Sequence, residues 1–378
     1  MPSARPRVVV LRGHNTNVWD LRPLEQLADE FDVAALVTGS NLHDLDGLAL
    51  RQVAVRTPRD VLPAGRPAGA AAYAIGERYL GLANHLRGAD IVHAAEIGTW
   101  FTAQAAALKR KLGFRLLVTV WETLPWRGTY RWPRERRYRQ AIVAEADLCL
   151  AATERARSAL LLEGIAAERI EVSEPGIDLA SFAAQTDPPT LPHHTILSAG
   201  RLVWEKGHQD VIRALAALRD GLGGERRDDV RLLIVGDGPE QAKLRRYADE
   251  LGLAAHVELR STVPYSEMPA LQRSASCLVL ASLPTRSWEE QFGMVLAEAM
   301  ASGTPVVAAA SGAIPEVLSG YGTLVEPGDW MQIARALSEG PLSRDPGTRM
   351  AAPAELLERY SATAAAQRTR AAYRRLLS

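Results

Sequence analysis

The feature that most constrains the fold is a regular succession of short apolar runs, each followed by a longer segment with helical periodicity. In the first half the runs are RVVVL, DVAALV, DIVH, RLLVTV and DLCLAA, and the helical segments include residues 20–30, 70–86, 99–111, 133–145 and 153–163. Apolar runs that do not alternate with polar residues are typical of strands covered on both faces. The pattern predicts an α/β fold with a doubly wound parallel sheet.

This pattern stops once, at AAQTDPPTLPHHT (residues 183–195), and then resumes. We interpret the break as a linker that includes His193 and His194. The second set of runs is TILSAG, VRLLIVG, HVELR, CLVLAS, TPVVAA and GTLVE. We therefore predict two Rossmann-like domains, residues 1–186 and 187–360, and a C-terminal helix at 361–378 that crosses back to the first. Since open α/β sheets bind ligands beyond the carboxyl ends of their strands, we expect the site in a cleft between the domains.

Composition excludes some classes of function. Lys+Arg and Asp+Glu both number 44, so no overall field draws the chain to nucleic acid. Cys149 and Cys277, the only two cysteines, lie in apolar runs and are predicted to be small core residues. Without a signal peptide or an apolar stretch of about 18 residues, the chain is expected to be cytoplasmic.

Four segments of the second half fall at predicted strand ends. In SAGRLVWEKGHQD, Arg201 and Lys206 flank the start of a helix, where two cations and free N–H groups suit a diphosphate; a solvated surface is the alternative. In LLIVGDGPE, Gly236 allows close approach to a ligand or serves only a tight turn. In the third segment, VELRSTVPYSEMPALQRSASCLVLAS, the loop around Val263 could hold a planar base through its backbone groups.

The fourth segment, SWEEQFGMVLAEAMASGTPVVAA, has two acids in otherwise apolar surroundings. Phe292, Gly293 and Met294 are predicted to start a helix that offers N–H donors. Glu290 then lies in the preceding loop, and Glu298 about one turn into the helix. Two acceptor-only carboxylates on either side of an anion-binding helix start fit a nucleotide sugar, which has hydroxyls on both sides of a diphosphate.

EQFGMVLAEAMASGTPVVA resembles the E-x7-E element of retaining, family-4-type glycosyltransferases with the GT-B fold. GRLVWEKG, VGDGPE, SGAIPEVL and GTLVEPGD follow the family's pattern in the same order, and the similarity covers roughly residues 85–330. The resemblance implies that Arg201 and Lys206 bind the donor diphosphate, Glu298 the ribose hydroxyls, and Glu290 the transferred sugar. It also implies amide contacts from Phe292, Gly293 and Met294.

The first half matches the family less closely. DIVHAAE resembles the family's strand-end H-x-H element, but Ala95 replaces the second His, so His93 is either a catalytic candidate or a structural histidine. RGHNTNVWD occupies the place of the family's Gly-Gly loop. Only Gly13 matches there, and His14 and Asn15 are candidate contacts to phosphate or acceptor.

Other candidate acceptor residues follow two predicted strands. They are Glu96, Trp121, Glu122 and Trp126. Residues 127–140 form a basic aromatic segment that either touches an anionic lipid or phosphorylated acceptor or is a solvated helix face. Its arginines are Arg127, Arg131, Arg134, Arg136, Arg137 and Arg139. The D-x-D triplet Asp44–Asp46 is not expected to bind metal, because this fold meets phosphate charge with cations and helix N-termini.

We therefore predict a metal-independent retaining glycosyltransferase. It needs no cofactor and moves a hexose-like sugar from a nucleotide diphosphate sugar to the hydroxyl of a small molecule, glycan or lipid-linked precursor. A sugar-nucleotide epimerase, a glycogen-type phosphorylase and a non-catalytic sugar-nucleotide sensor are the alternatives.

Overall fold

The computed structural model describes residues 5–61, 77–127, 133–183, 191–222 and 226–378. The chain forms two compact units, residues 1–176 with 359–378, and residues 177–358. The boundary precedes the predicted one at 186/187. Its position follows from the short helix Leu179–Phe182, which packs within the second unit: the Phe182 ring lies 5.8 Å from that of Tyr265.

The first unit contains a parallel seven-stranded sheet in the order β3-β2-β1-β4-β5-β6-β7. Its strands are β1 Arg7–Leu11, β2 Asp32–Thr38, β3 Arg51–Val55, β4 Ile91–Ala95, β5 Arg115–Val120, β6 Leu148–Ala151 and β7 Ile170–Val172. The sequence did not predict β3 or β7. Both are edge strands, and β3 carries polar residues on an exposed surface, so neither has the apolar run of a central strand.

Helices cover both faces of this sheet. They are α1 Val18–Glu25, α2 Pro58–Val61, α3 Leu82–Leu86, α4 Trp100–Leu112, α5 Pro133–Glu145, α6 Glu154–Leu162 and the C-terminal helix Ala362–Leu377. The C-terminal helix packs against α1. Its Tyr373 is fully buried, with its ring 5.2 Å from that of Phe31, so this helix completes the core on one face of the sheet.

The second unit contains a parallel six-stranded sheet in the order β10-β9-β8-β11-β12-β13. Its strands are β8 His194–Ala199, β9 Val230–Val235, β10 Val257–Arg260, β11 Cys277–Leu280, β12 Val306–Ala309 and β13 Thr323–Val325. The prediction that His194 lies in the linker is wrong: His194 is buried and begins β8, and its Nε2 lies 3.9 Å from Oδ2 of Asp229, the residue before β9.

The helices of the second unit follow the predicted alternation. They are α7 Leu179–Phe182, α8 His208–Arg219, α9 Gln241–Glu250, α10 Met268–Arg273, α11 Met294–Ala301, α12 Ile314–Leu318, α13 Trp330–Glu339 and α14 Ala354–Arg359. Cys149 in β6 and Cys277 in β11 are free thiols with no exposed surface, and each packs in the core of its own unit. No helix within the described ranges is long and apolar enough to cross a membrane.

Candidate functional site

Two charged side chains of the second unit, Lys206 and Glu290, lie where its strand order reverses. From β8 the chain continues to β9 on one side, whereas β11 lies on the other side of β8. The loops that follow β8 and β11 therefore lie at the strand-order reversal, on the carboxyl edge of the sheet, which is where ligands of open α/β sheets bind. Lys206 ends a 3₁₀ turn in the first loop, and Glu290 belongs to the second.

Lys206 and Glu290 form a direct ion pair. Nζ of Lys206 lies 2.7 Å from Oε2 of Glu290, and their side chains are 14% and 7% exposed. The two residues are 84 positions apart, so only the strand order brings them together. At one edge of the sheet, the pair thus presents a cation suited to phosphate and a carboxylate suited to hydroxyls.

Arg201 lies at the start of the same loop, with its side chain exposed. The carbonyl oxygen of Arg201 accepts a hydrogen bond from Nε2 of His208 at 3.1 Å, and the other ring nitrogen of His208 lies 2.8 Å from the Ser198 hydroxyl. Burial lowers the pKa of His208 to about 4, so the ring is neutral and fixes the backbone that carries Arg201.

The amino end of α11 has no side-chain cap. Gly293 precedes the helix with φ 79°, a left-handed conformation that favours glycine. Phe292 is buried and anchors the turn, while Met294 begins the helix. The first N–H groups of a helix carry partial positive charge, so this end is suited to an anionic oxygen.

Glu298 lies inside α11 and is 4% exposed. Burial raises its pKa from 4.5 to about 7, and the nearby Tyr265 phenol offsets part of this rise. A buried carboxylate with so little compensation is costly to ionise, and hydroxyl donors from a ligand would lower that cost.

This pKa predicts a pH-dependent stability. A carboxyl whose pKa is higher in the folded state stabilises the fold below its unfolded pKa of 4.5, and that contribution disappears as the pH rises through about 7. Between pH 5 and pH 8 we expect the wild type to lose about 2–3 kcal/mol of unfolding free energy that Glu298→Gln keeps. Urea unfolding across this pH range measures the difference.

The exposed Glu355 supplies a matched control for this prediction. Glu355→Gln should leave the pH dependence of the wild type unchanged. Parallel curves for the wild type and Glu298→Gln would contradict the raised pKa.

Glycines bring the strand-end loops of the second unit into backbone contact. A Cβ on Gly207 would lie 1.9 Å from the Ala281 carbonyl oxygen, and one on Gly312 would lie 2.1 Å from the Glu290 carbonyl oxygen. A Cβ on Gly236 would likewise lie 1.9 Å from the Gly200 carbonyl oxygen. This contact favours the tight-turn interpretation of Gly236, and its donor contact stays a prediction.

Val263 lies in the loop after β10 and is half-buried. Asp237, which follows β9, accepts the N–H of Thr262 at 3.0 Å and so fixes the residue next to Val263. The loop is thus tied to a neighbouring strand end, while the contact of Val263 with a base stays a prediction.

In the first unit, the loop after β1 makes its contacts within the protein. The N–H of Gly13 donates to the Tyr79 hydroxyl at 2.8 Å. The ring of His14 is buried, with Nδ1 3.0 Å from the Ser40 hydroxyl, and burial lowers its pKa. Asn15 is exposed. Of these three candidate residues, only Asn15 presents a side chain to solvent.

His93 is bound by the protein on both ring nitrogens. Nδ1 lies 2.9 Å from the Tyr373 hydroxyl and Nε2 lies 2.7 Å from the Thr119 hydroxyl. Burial, together with the charge of Arg12, holds the pKa of His93 well below its usual value, so the ring is neutral. These contacts support the structural interpretation of His93, and we leave it out of the proposed catalytic set.

Glu96 and Trp121 are joined by a backbone contact. The carboxylate of Glu96 accepts the N–H of Trp121 at 2.8 Å, and its backbone is left-handed with φ 65°. Burial and the nearby charge of Glu122 raise the pKa of Glu96 to about 7. Non-glycine residues in this conformation are uncommon and concentrate at functional sites. Glu96 therefore stays a candidate acceptor residue.

Glu122 and Trp126 differ in exposure. Glu122 is buried, accepts the N–H groups of Thr123 and Leu124, and pairs with Arg127. Trp126 is 53% exposed, with φ 55°. Among the described residues of this loop, Trp126 therefore presents an exposed aromatic surface, whereas Glu122 serves to hold the shape of the loop.

The arginine segment divides into two kinds of side chain. Arg139 is buried and pairs with Glu163. Arg134, Arg136 and Arg137 are exposed on α5, and Arg131 lies outside the described residues.

In the loop after β2, the D-x-D triplet folds on itself, because Asp44 accepts the N–H of Asp46 at 3.0 Å. No group of acids, histidines or cysteines suited to a metal ion occurs within the described ranges.

Three residues beside the site were missed by the sequence reasoning. Ser282 contacts Glu290, Trp288 contacts Lys206, and Tyr265 contacts Glu298. Ser282 follows β11 directly, so its position beyond a strand end was the available signal. Trp288 lies in a loop and Tyr265 begins a short 3₁₀ helix, and at neither position does a sequence signal identify the partner.

Comparison with solved structures defines the class of protein. The chain is similar to the Anabaena protein HepE, solved in complex with UDP and glucose, with a TM-score of 0.73 and 19% sequence identity over 97% of this chain and 99% of that one. Two parallel sheets with flanking helices and this likeness establish the GT-B fold.

Sequence comparison defines the family. Residues 12–181 match the family described as Glycosyltransferase Family 4, and residues 188–351 match Glycosyl transferases group 1. A D-inositol 3-phosphate glycosyltransferase of Catenulispora acidiphila is 30% identical over 321 residues, 78% of this chain and 74% of that protein. The chain therefore belongs to the family-4-type glycosyltransferases with the GT-B fold. A GDP-mannose-dependent phosphatidylinositol monomannoside mannosyltransferase of Mycolicibacterium smegmatis is 36% identical over 192 residues, which is 47% of this chain and 48% of that protein.

Proposed function

We propose that this glycosyltransferase is a retaining, metal-independent enzyme that transfers a hexose from a nucleotide diphosphate sugar to an alcohol. The observation that carries the proposal is the Lys206–Glu290 pair at the strand-order reversal of the second unit. The uncapped start of α11 supports it, because Glu290 and Glu298 lie on either side of that helix start in sequence.

Each charged group has a role in this proposal. Lys206, Arg201 and the α11 N–H groups bind the diphosphate and stabilise the negative charge that develops on it as the glycosidic bond breaks. Glu298 accepts hydrogen bonds from the ribose hydroxyls and Glu290 from the transferred sugar. The backbone N–H groups of Phe292, Gly293 and Met294 donate further hydrogen bonds to the sugar and the phosphates in this proposal.

The retaining step follows from the family resemblance. The acceptor oxygen attacks the anomeric carbon on the face from which the diphosphate departs. The bond from that carbon to the phosphate oxygen breaks, and the departing phosphate takes the acceptor's proton. The sugar thus keeps its anomeric configuration.

The relatives indicate the class of acceptor. One acts on D-inositol 3-phosphate and another on a phosphatidylinositol monomannoside, so both names specify an inositol-containing acceptor. We propose a polyol or sugar acceptor with a phosphate group. The exposed arginines of α5 are candidates for contact with such a phosphate or with an anionic membrane surface.

A thermal-shift screen tests the donor. UDP-, GDP-, ADP- and dTDP-sugars are added separately, and a donor at 100 times its Kd is expected to stabilise the fold by about 2.7 kcal/mol. Stabilisation by the sugars of one base would support the proposal and identify the base. No stabilisation by any of the four would overturn the donor assignment.

Glu298→Ala is the matched variant for this screen. Loss of the ribose contacts should weaken donor binding by about 10-fold or more, since hydrogen bonds to charged groups are strong. An unchanged donor affinity would remove Glu298 from the binding site. Release of nucleotide diphosphate only when an acceptor is present would then distinguish a transferase from an epimerase or a sensor.

A further inference from the structure

The carboxylate of Glu290 is held by the protein on one side. Ser282 donates its hydroxyl proton to Oε2 at 2.6 Å, and Lys206 donates to the same oxygen at 2.7 Å. Both hydrogen bonds that described residues donate to this carboxylate end on Oε2. Oε1 is therefore the oxygen that can accept a hydrogen bond from a ligand.

Ser282 is well placed to fix this orientation. Its side chain is fully buried, and a hydroxyl that donates to a carboxylate makes a strong, charge-assisted bond. The backbone around it is fixed on both sides: the Ala281 carbonyl packs against Gly207, and the N–H of Leu283 donates to the Glu205 carbonyl at 2.8 Å. Rotation of the Glu290 carboxylate would leave the Ser282 hydroxyl without its partner in a buried place, which is costly.

Trp288 acts on the other member of the pair. Nζ of Lys206 lies 5.1 Å from the centre of the Trp288 ring, a favourable distance for a cation–π contact. The N–H of Thr285 donates to the Trp288 carbonyl at 2.7 Å and closes the loop that presents the ring. An ammonium has three donors, so with one on Glu290 the others can reach a diphosphate.

We propose that Ser282 and Trp288 are positioning residues for the transfer reaction. Ser282 directs Oε1 of Glu290 toward a hydroxyl of the transferred sugar, and Trp288 holds the Lys206 ammonium where it meets the diphosphate. This inference rests on the proposed function, because the ligand it requires is a nucleotide diphosphate sugar.

Ser282→Ala separates a contact with the sugar from a contact with the nucleotide. Calorimetric titrations use UDP-glucose and GDP-mannose, with UDP and GDP as their sugar-free counterparts. We expect Ser282→Ala to weaken binding of the sugar nucleotide about 10-fold, and to leave binding of the sugar-free nucleotide within about 2-fold of wild type. Ser287→Ala, the same change at an exposed position of the same loop, should alter neither.

Trp288→Leu and Trp288→Phe test the second residue independently. Leu removes the aromatic face, so binding of the nucleotide with and without its sugar should weaken together, by about 5-fold. Phe keeps an aromatic face and should remain close to wild type. A merely structural role would make both substitutions lower the thermal midpoint without this difference between them.

The outcomes distinguish this inference from the proposed function. If the wild type binds a nucleotide sugar but Ser282→Ala loses no sugar-specific affinity, the positioning role of Ser282 is wrong and the proposed function stands. Equal affinities in Trp288→Leu and Trp288→Phe would remove the role of Trp288. If the wild type binds none of the UDP-, GDP-, ADP- and dTDP-sugars of the thermal-shift screen, the proposed function and this inference both fail.

Discussion

Lys206→Ala is expected to lower the rate of glycosyl transfer by about 100-fold or more, and Arg201→Ala by a similar factor. In the proposed reaction the diphosphate leaves with a developing negative charge, and these two residues supply the cations of the loop after β8. A charge fixed in place before the reaction acts mainly on the transition state, so the effect should be on kcat. Release of nucleotide diphosphate at saturating donor and acceptor measures it.

Exposed cations elsewhere in the second unit provide the controls. Lys243 on α9 pairs with Glu240, the residue before this helix, and is 64% exposed. Arg246 on the same helix is 70% exposed. Lys243→Ala and Arg246→Ala should turn over donor at the wild-type rate. Wild-type turnover by Lys206→Ala or Arg201→Ala would remove the phosphate role assigned to that residue.

The sequence predicted the fold well because its buried strands are apolar on both faces. The central strands of each sheet were identified from apolar runs, whereas the edge strand β3 was missed because its exposed positions carry polar residues. Strand order was not available from periodicity. The contact between Lys206 and Glu290 depends on that order, so the sequence identified both residues but not their ion pair.

The first unit shows a different limit of sequence reasoning. His93, in a motif that resembles a catalytic one, is held by Tyr373, which lies 280 positions away in the chain. The sequence offers no sign of such a partner, so the structural and functional interpretations of a strand-end histidine could not be separated. Glu122 is a similar case, since its carboxylate caps its own loop.

Glycine is ambiguous for a related reason. In a turn after a strand, it can make room for a ligand or for another part of the backbone, and the two needs leave the same sequence. At Gly236 the neighbour is the Gly200 carbonyl of the adjacent strand-end loop. The spacing of the glycines reports only that close approach is required.

Gly207→Ala is expected to destabilise the protein by about 4 kcal/mol, a large effect for one methyl group. Two costs combine at this position. The backbone is left-handed with φ 69°, and the added Cβ would lie 1.9 Å from the Ala281 carbonyl oxygen, which is backbone and has little freedom to move. The loops after β8 and β11 would have to separate, and Lys206 would move away from Glu290. Urea unfolding and nucleotide-sugar titration of the same variant measure both consequences.

Gly252→Ala isolates the first of these costs. Gly252 has the same φ of 69°, but beyond its own chain neighbours nothing lies within 4 Å of the point that an added Cβ would occupy, so its substitution should cost only about 1–2 kcal/mol of backbone strain. The difference between the two variants is then the cost of separating the two loops. Equal losses of stability in both would show that the loops tolerate separation, and that Gly207 does not hold the Lys206–Glu290 pair in place.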